Sequence, residues 1–274
     1  MPAASPASPP APTVTTVHSG TSTTHHHRRS ARHHAPPEGG VYARNAILLD
    51  PLTGEVLFEK NASRSVPIAS LSKLMTALVF LEQKPDLDKQ VTVNTQELSG
   101  AGHTQLRRGE VVPLGELLHM SLMCSDNCAT RVIALESGLT PDDFIARMNT
   151  KSIELGLTGT RFVEFTGLNE HNVSTAADIA RLLHAAANEP LLAEITTTRS
   201  YDFHTARRWH TIGNTNRLLY GRYEVLGGKT GFTRPAGTFW ISRTASAKRV
   251  AFVGAPSTTA IRSRPCARTH VAKQ

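Results

Sequence analysis

The run Ala69-Ser70-Leu71-Ser72-Lys73-Leu74-Met75-Thr76-Ala77, continued to Leu81, constrains this chain more than any other stretch. As a helix it is apolar nearly all round, through Met75, Leu78, Val79 and Leu81, and such a helix must be enclosed by other elements. Its first turn nevertheless carries a hydroxyl and an amine. Ser70 and Lys73 stand three apart and therefore share one face, which puts a nucleophile next to a base where a central helix meets the surface. Free backbone N–H groups and the positive end of the helix dipole favour an alkoxide forming on Ser70 and offer half of an oxyanion site. A lysine held near other cations and away from water is neutral at about pH 7 and can accept the serine proton. Taken alone, the pattern is short enough to occur by chance and more often marks a helix capped by Ser70 with Lys73 in solvent.

The 274 residues, 39% of them hydrophobic, suffice for one large domain or two small ones with a substantial core. No run approaches the roughly eighteen apolar residues of a membrane helix. Met1-Pro2-Ala3-Ala4-Ser5 leads into Pro, Thr and His rather than an apolar signal core, so neither a signal nor a membrane anchor is expected in this sequence. The net charge of +8 sits in the ends. Arg28, Arg29, Arg32 and Arg44 against Glu38 give +3, and Arg262, Arg264, Arg268 and Lys273 give +4, which leaves +1 between them. Loose attraction of the tails to anionic polymers follows, but no specific nucleic-acid site. Cys124, Cys128 and Cys266 are an odd set with no disulfide framework. The first two, one helical turn apart, read as buried thiols, since no His or Cys partner stands at ligand spacing; no metal is expected.

Residues 1–40, rich in Pro, Ser, Thr and His, have almost nothing apolar to offset the entropy of ordering and read as a disordered tail whose His clusters could bind metal weakly. Order is expected over 41–262, with an irregular basic tail at 263–274. Ala46 to Asp50, the turn Pro51-Leu52-Thr53-Gly54 and Glu55 to Glu59 predict a hairpin. Short extended pieces follow at Gln90–Val93 and Glu110–Val112. A helix is predicted from Leu114 to Cys124, resuming from Ala129 to Leu135 after the polar triplet Ser125-Asp126-Asn127. Thr140-Pro141-Asp142-Asp143 opens another helix that runs to about Leu155, and Thr175-Ala176-Ala177-Asp178 a further one over Ile179–Ala187. From Tyr201 the chain reads as extended, with strands at Leu226–Thr230, Thr238–Thr244 and Arg249–Val253. Strands at both ends around a helical middle predict an α/β fold in which an antiparallel sheet is built from both ends of the chain.

Ser125-Asp126-Asn127 and Lys229-Thr230-Gly231 follow Ser70 and Lys73 in the order that penicillin-reactive serine enzymes use. On a strand edge, Lys229 and the Thr230 hydroxyl can bind a substrate carboxylate, and Gly231 lets a substrate backbone approach. The N–H of Phe232 can complete an oxyanion hole with that of Ser70. Ser125 can pass a proton toward a leaving amine, and Asn127 can hold Lys73 and the substrate amide. Beyond these motifs stand Pro67-Ile68-Ala69-Ser70, Leu117-Leu118-His119, Thr166-Gly167-Leu168, Asn172-Val173-Ser174-Thr175-Ala176, Asn214-Thr215-Asn216-Arg217-Leu218-Leu219 and Lys229-Thr230-Gly231-Phe232-Thr233 with Ala236-Gly237. On these residues the chain, from about Ala46 to Pro256, resembles the low-molecular-mass penicillin-binding proteins, serine D-alanyl-D-alanine carboxypeptidases and endopeptidases, and most closely the endopeptidase branch. The resemblance implies the penicillin-binding/β-lactamase-like transpeptidase fold and attack by Ser70 on a D-Ala carbonyl. It implies an acyl-enzyme hydrolysed by water, peptidoglycan stem peptides or cross-links as substrates, β-lactams as covalent inhibitors, a periplasmic or extracytoplasmic location, and no cofactor.

Two alternatives share part of this pattern. A serine β-lactamase needs a glutamate to activate the deacylating water, and Glu164 is the candidate, but its spacing to Leu168-Asn169 is one residue too long. A truncated, inactive homologue is the other, because Ser263 to His270 contains Pro265 and no apolar stripe where the family continues with a helix on the sheet.

Overall fold

The computed structural model describes residues 43–50, 53–222, 224–233, 237–244 and 249–255. The expectations for residues 1–40, Cys266 and the basic segment 263–274 lie outside the described residues. Strands β1 (Asn45–Leu49) and β2 (Val56–Lys60) form the predicted antiparallel hairpin. It is closed where the Gly54 N–H donates to the Asp50 carbonyl at 2.8 Å. β3 (Val66–Pro67) leads through a 3₁₀ turn, Ala69–Leu71, into α1 (Ser72–Glu82). Every residue of α1 from Ser72 to Phe80 is buried, as its all-round apolar character requires.

β4 (Gln90–Thr92) pairs across α2 (Thr95–Leu98) with β5 (Val111–Pro113). Then come α3 (Leu114–Met123), α4 (Asn127–Leu135) and α5 (Pro141–Glu154). β6 (Val173–Ser174) pairs back with β3 and leads into α6 (Ala176–Ala187). The predicted caps are in place. Thr140 Oγ1 accepts from the Asp143 N–H at 3.2 Å, with Pro141 in the first turn, and Thr175 Oγ1 accepts from the Asp178 N–H at 3.0 Å.

After α7 (Pro190–Thr197) and the hairpin β7 (Ser200–His204) and β8 (Trp209–Gly213), the chain forms β9 (Val225–Thr233), β10 (Gly237–Thr244) and β11 (Arg249–Ala255). The main sheet runs β2-β1-β11-β10-β9, and all its pairings are antiparallel. The last strand therefore inserts beside the first, as the sequence predicts for a sheet built from both ends. β9 is left as an edge. α6 packs on the sheet against β1, β9, β10 and β11, and α1 lies behind it, enclosed by α3, α4, α5 and α6.

The differences are local. β3, β6, α2, α7 and β8 are additional to the elements read from the sequence. α7 exists because Asn188 ends α6 and Pro190 at once restarts a helix with its φ already set. Cys128 is buried as expected, whereas Cys124 is half-buried.

One buried ionic group fastens the β7–β8 hairpin to the strand pair β4–β5. Glu110, fully buried before β5, accepts from His210 Nε2 at 2.6 Å, Thr205 Oγ1 at 3.0 Å and Arg208 Nη2 at 3.2 Å. Burial alone raises its pKa, but the bonds from His210 and Arg208 prevail and bring it down to about 2. Because that is below the ordinary carboxylate value of 4.5, the contribution to stability is present above 4.5 and is lost as pH falls toward 2. Urea denaturation of Glu110→Gln is expected to show a loss of about 3 kcal/mol at neutral pH, with the gap to wild type narrowing on acidification.

Candidate active site

The structure brings the three stretches together. Ser70 sits in the 3₁₀ turn before α1 rather than in its first α-helical turn, because Ala69 takes a left-handed φ of +50°. The i, i+3 relation survives this shift, and Lys73 Nζ lies 2.9 Å from Ser70 Oγ. Ser125 and Asp126 make the joint between α3 and α4. Ser125 is also left-handed, at φ +63°, and Asp126 caps α4 by accepting from the Ala129 N–H at 3.0 Å. Asn127 is the first residue of α4 and faces Lys73. Two non-glycine residues in the left-handed region each cost about 1–3 kcal/mol and persist only where their surroundings hold them. Here both flank the serine–lysine pair.

The contacts of Lys73 decide its chemistry. It is fully buried, and Nζ reaches Asn127 Oδ1 at 2.7 Å and the Thr166 carbonyl at 2.6 Å besides Ser70. The Asn127 amide cannot turn over, since its Nδ2 donates to the Ala101 carbonyl at 2.8 Å. Burial lowers the Lys73 pKa from 10.5 to about 7, against the opposing pull of Glu164 and Asp126. A neutral amine has two N–H groups and one lone pair. Two pure acceptors, Asn127 Oδ1 and Thr166 O, take the N–H groups and leave the lone pair facing the Ser70 hydroxyl.

A second buried amine closes the other side. Lys229 of β9 is 1% exposed, and its Nζ donates to Ser125 Oγ at 3.0 Å and to the Thr230 carbonyl at 2.9 Å. Burial first, and the charge of Lys73 second, hold its pKa well below the ordinary lysine value. Thr230 Oγ1 lies 2.6 Å from Thr215 Oγ1, which is itself tied to the Met123 carbonyl at 3.2 Å. β9 passes Ser70 with no room to spare. A Cβ on Gly231 would stand 3.1 Å from the Ser70 nitrogen. Phe232, the next residue, is 58% exposed.

Glu164 is occupied by its own loop. Its Oε2 accepts from the Thr166 N–H at 2.7 Å and from Thr166 Oγ1 at 2.6 Å, while Oε1 accepts from the Gly167 N–H at 2.5 Å and from Asn172 Nδ2 at 3.0 Å. A carboxylate with four donors is a clamp on the turn that presents the Thr166 carbonyl to Lys73. Spacing alone gives no role to Thr166, Ala101 or Thr215. The only sequence signal for Thr166 and Thr215 is their place in Thr166-Gly167-Leu168 and Asn214-Thr215-Asn216. Among the described residues no group of three or more His, Cys, Asp or Glu could hold a metal ion, and no helix is long and apolar enough to cross a membrane.

A serine hydroxyl against a buried lysine amine, at the end of an enclosed helix beside a sheet edge, is a geometry suited to serine acyl transfer. The family model for D-alanyl-D-alanine carboxypeptidase matches residues 30–254. Similar curated proteins include the D-alanyl-D-alanine endopeptidase of Pseudomonas aeruginosa, 37% identical over 76% of this chain and 71% of that protein. The D-alanyl-D-alanine endopeptidase of Escherichia coli is also 37% identical, over 73% of this chain and 66% of its own length. The chain thus spans about two thirds of these relatives. Among solved structures, a D-alanyl-D-alanine carboxypeptidase of Mycobacterium tuberculosis superposes with a TM-score of 0.74 at 28% identity, over 80% of this chain and 84% of that one. The Streptomyces K15 DD-transpeptidase does so with 0.74 at 26%, over 80% and 91%. The chain belongs to the D-alanyl-D-alanine carboxypeptidase family of serine peptidases, with the penicillin-binding protein fold.

Gly167 gives a direct test of how the turn carrying Ser70 is held. It has φ +85°, and a Cβ there would fall 1.7 Å from the Ala69 carbonyl oxygen. Gly167→Ala is expected to displace the turn that carries Ser70 and to slow acylation by penicillin about a hundredfold. A thermal melt that stays cooperative would separate this from unfolding.

Proposed function

We propose that the chain hydrolyses the D-alanine amide bond of peptidoglycan stem peptides or cross-links through an acyl-enzyme on Ser70, outside the cytoplasm. The observation that carries this reading is Lys73 Nζ at 2.9 Å from Ser70 Oγ, with its other two hydrogen-bonding directions taken by acceptors. Lys73 removes the Ser70 proton as Oγ attacks the D-Ala carbonyl. The N–H groups of Ser70 and Phe232 stabilise the oxyanion. The substrate lies along the free edge of β9 as an added strand, which is the geometry an unpaired strand edge offers to an extended peptide. Gly231 supplies the clearance.

Lys229, with Thr230, receives the carboxylate on the leaving side. A buried amine with a lowered pKa suits this task, because an arriving carboxylate offsets the burial and restores the charge, so recognition and protonation occur together. Ser125, in contact with Lys229, passes the proton to the departing amine, and Asn127 orients both Lys73 and the substrate amide. Water then releases the acyl group. The binding of Glu164 within its own loop argues against the rapid deacylation of a β-lactamase.

Intact-protein mass spectrometry after brief exposure to a penicillin is expected to show a persistent adduct on the wild type and none on Ser70→Ala. An adduct on the variant would refute the assignment. Since Lys73 must be neutral to act as base and its pKa is about 7, the acylation rate is expected to rise with pH up to about 7 and then level off. Lys229→Ala is expected to raise KM for a D-Ala-D-Ala peptide by roughly a hundredfold, more than it lowers kcat.

A further inference from the structure

The stretch Asn172-Val173-Ser174-Thr175-Ala176 carries part of the resemblance to the endopeptidase branch, yet the reaction described above uses none of its side chains. Pro67 of β3 pairs with Val173 of β6, which sets Asn172 beside the turn that carries Ser70. The Asn172 carbonyl accepts from the Ile68 N–H at 3.0 Å, and its side chain is fully buried. Oδ1 accepts from the backbone N–H groups of Val163 and Glu164 at 2.8 and 3.2 Å. Those two donors fix the amide in one orientation, so the nitrogen must donate on the other side. Nδ2 reaches Ser72 Oγ at 3.0 Å, the Glu164 carbonyl at 2.9 Å and Glu164 Oε1 at 3.0 Å.

Two chains of hydrogen bonds leave this amide, one toward each side of the serine–lysine pair. In the first, Ser72 Oγ donates onward to the Ala69 carbonyl at 3.0 Å, and Ala69 is the left-handed residue immediately before Ser70. In the second, Glu164 accepts from the N–H groups of Thr166 and Gly167 at 2.7 and 2.5 Å. It thereby holds the turn whose Thr166 carbonyl accepts from Lys73 Nζ at 2.6 Å. The two turns meet where a Cβ on Gly167 would overlap the Ala69 carbonyl. Thr76 Oγ1 adds a bond from α1 to the Phe165 carbonyl at 2.6 Å, but it bonds neither Ala69 nor the Glu164 carboxylate. A buried amide that must accept twice and donate on its other side is specific to asparagine in this space: an aspartate of the same shape would set an oxygen against three acceptors.

We propose that Asn172 is a positioning residue for acyl transfer, holding the Ser70 turn and the Thr166 carbonyl at the separation that places Lys73 between them. Being enclosed, it acts through Ser72 and Glu164 and not on the substrate. This rests on the proposed peptidase reading and adds to it the residue that sets the geometry of the serine–lysine pair.

The test compares the full chain with three variants. Asn172→Asp keeps the shape and Oδ1 but removes the donor, and Ser72→Ala breaks only the chain to Ala69. Asn149→Ala is the control, because Asn149 ties Ile145 to Phe162 with three hydrogen bonds in the same region and bonds neither Ser70 nor Lys73. Penicillin acylation is followed by stopped flow, so that the noncovalent Kd and the acylation rate are separated, and the Lys73 ε-carbon is titrated by NMR. The acylation rate is expected to fall about a hundredfold in Asn172→Asp and about tenfold in Ser72→Ala, with Kd within about twofold of wild type. Loosened turns admit water to Nζ and relieve the burial that lowers its pKa, so the Lys73 midpoint is expected to rise by about one pH unit. Ser72→Ala decides that readout, since in Asn172→Asp the new carboxylate joins Glu164 and Asp126 in raising the midpoint against Arg131. Asn149→Ala is expected to lower the melting temperature and to leave the acylation rate and the midpoint unchanged.

Unchanged acylation in either of the first two variants would overturn the inference. So would an equal fall in Asn149→Ala, a loss confined to Kd, or an unmoved midpoint in Ser72→Ala. Where Asn172→Asp gives no cooperative melt, Ser72→Ala decides on the same two readouts. If the wild type forms no penicillin adduct, the peptidase reading fails, and the Lys73 midpoint in Ser72→Ala against Asn149→Ala alone decides the placement.

Discussion

Everything at this site depends on the burial of one amine. Placed out of water, the Lys73 ammonium loses its hydration, and the only compensation within reach is two carbonyl-type oxygens and one hydroxyl. That environment is too poor to hold a full charge up to the usual lysine pKa and too rich to leave the neutral amine unbonded. The outcome is a base whose free direction is set by elimination. Each of its partners comes from a different part of the chain: Ser70 from the turn before α1, Asn127 from the start of α4, and Thr166 from the loop after α5. The base exists only when the helical middle has assembled around α1.

The rest of the architecture holds these segments closer together than unaided packing would. Glu164 gathers the Thr166–Gly167 turn with four hydrogen bonds. Gly167 lets that turn touch the Ala69 carbonyl, and Gly231 lets β9 touch the Ser70 nitrogen. Ala69 and Ser125 keep left-handed backbones that neither would adopt in isolation. Strain of this kind is affordable because the α1 core is continuous with α3, α4, α5 and α6. The edge of β9 is likewise tolerated where it borders Ser70, since an edge open to pairing suits the extended substrate proposed above.

Much of this is legible in the sequence wherever a physical rule acts over a few residues. The all-round apolar run forces α1 into the interior. Three-residue spacing joins Ser70 to Lys73, capping chemistry marks Thr140 and Thr175, and extended segments at both ends imply one shared sheet. What cannot be read is carried by backbone atoms or by distant pairs. The Thr166 and Ala101 carbonyls have no side-chain signature, and the left-handed turn at Ala69 shifts α1 by two residues without any glycine to announce it. Glu110 and His210 meet across one hundred residues.

The most direct test of the central claim is a titration of the Lys73 amine itself. The chain would be labelled with carbon-13 at the lysine ε position and followed by NMR across pH, with Lys73→Met to assign the signal. The account predicts one ε resonance, absent from the variant, that titrates near the value of about 7 set by burial. A Lys73 resonance that remained that of a charged ammonium up to the ordinary value of 10.5 would contradict it. Ser70 would then have no neutral amine beside it at physiological pH, and its proton would have to leave by another route.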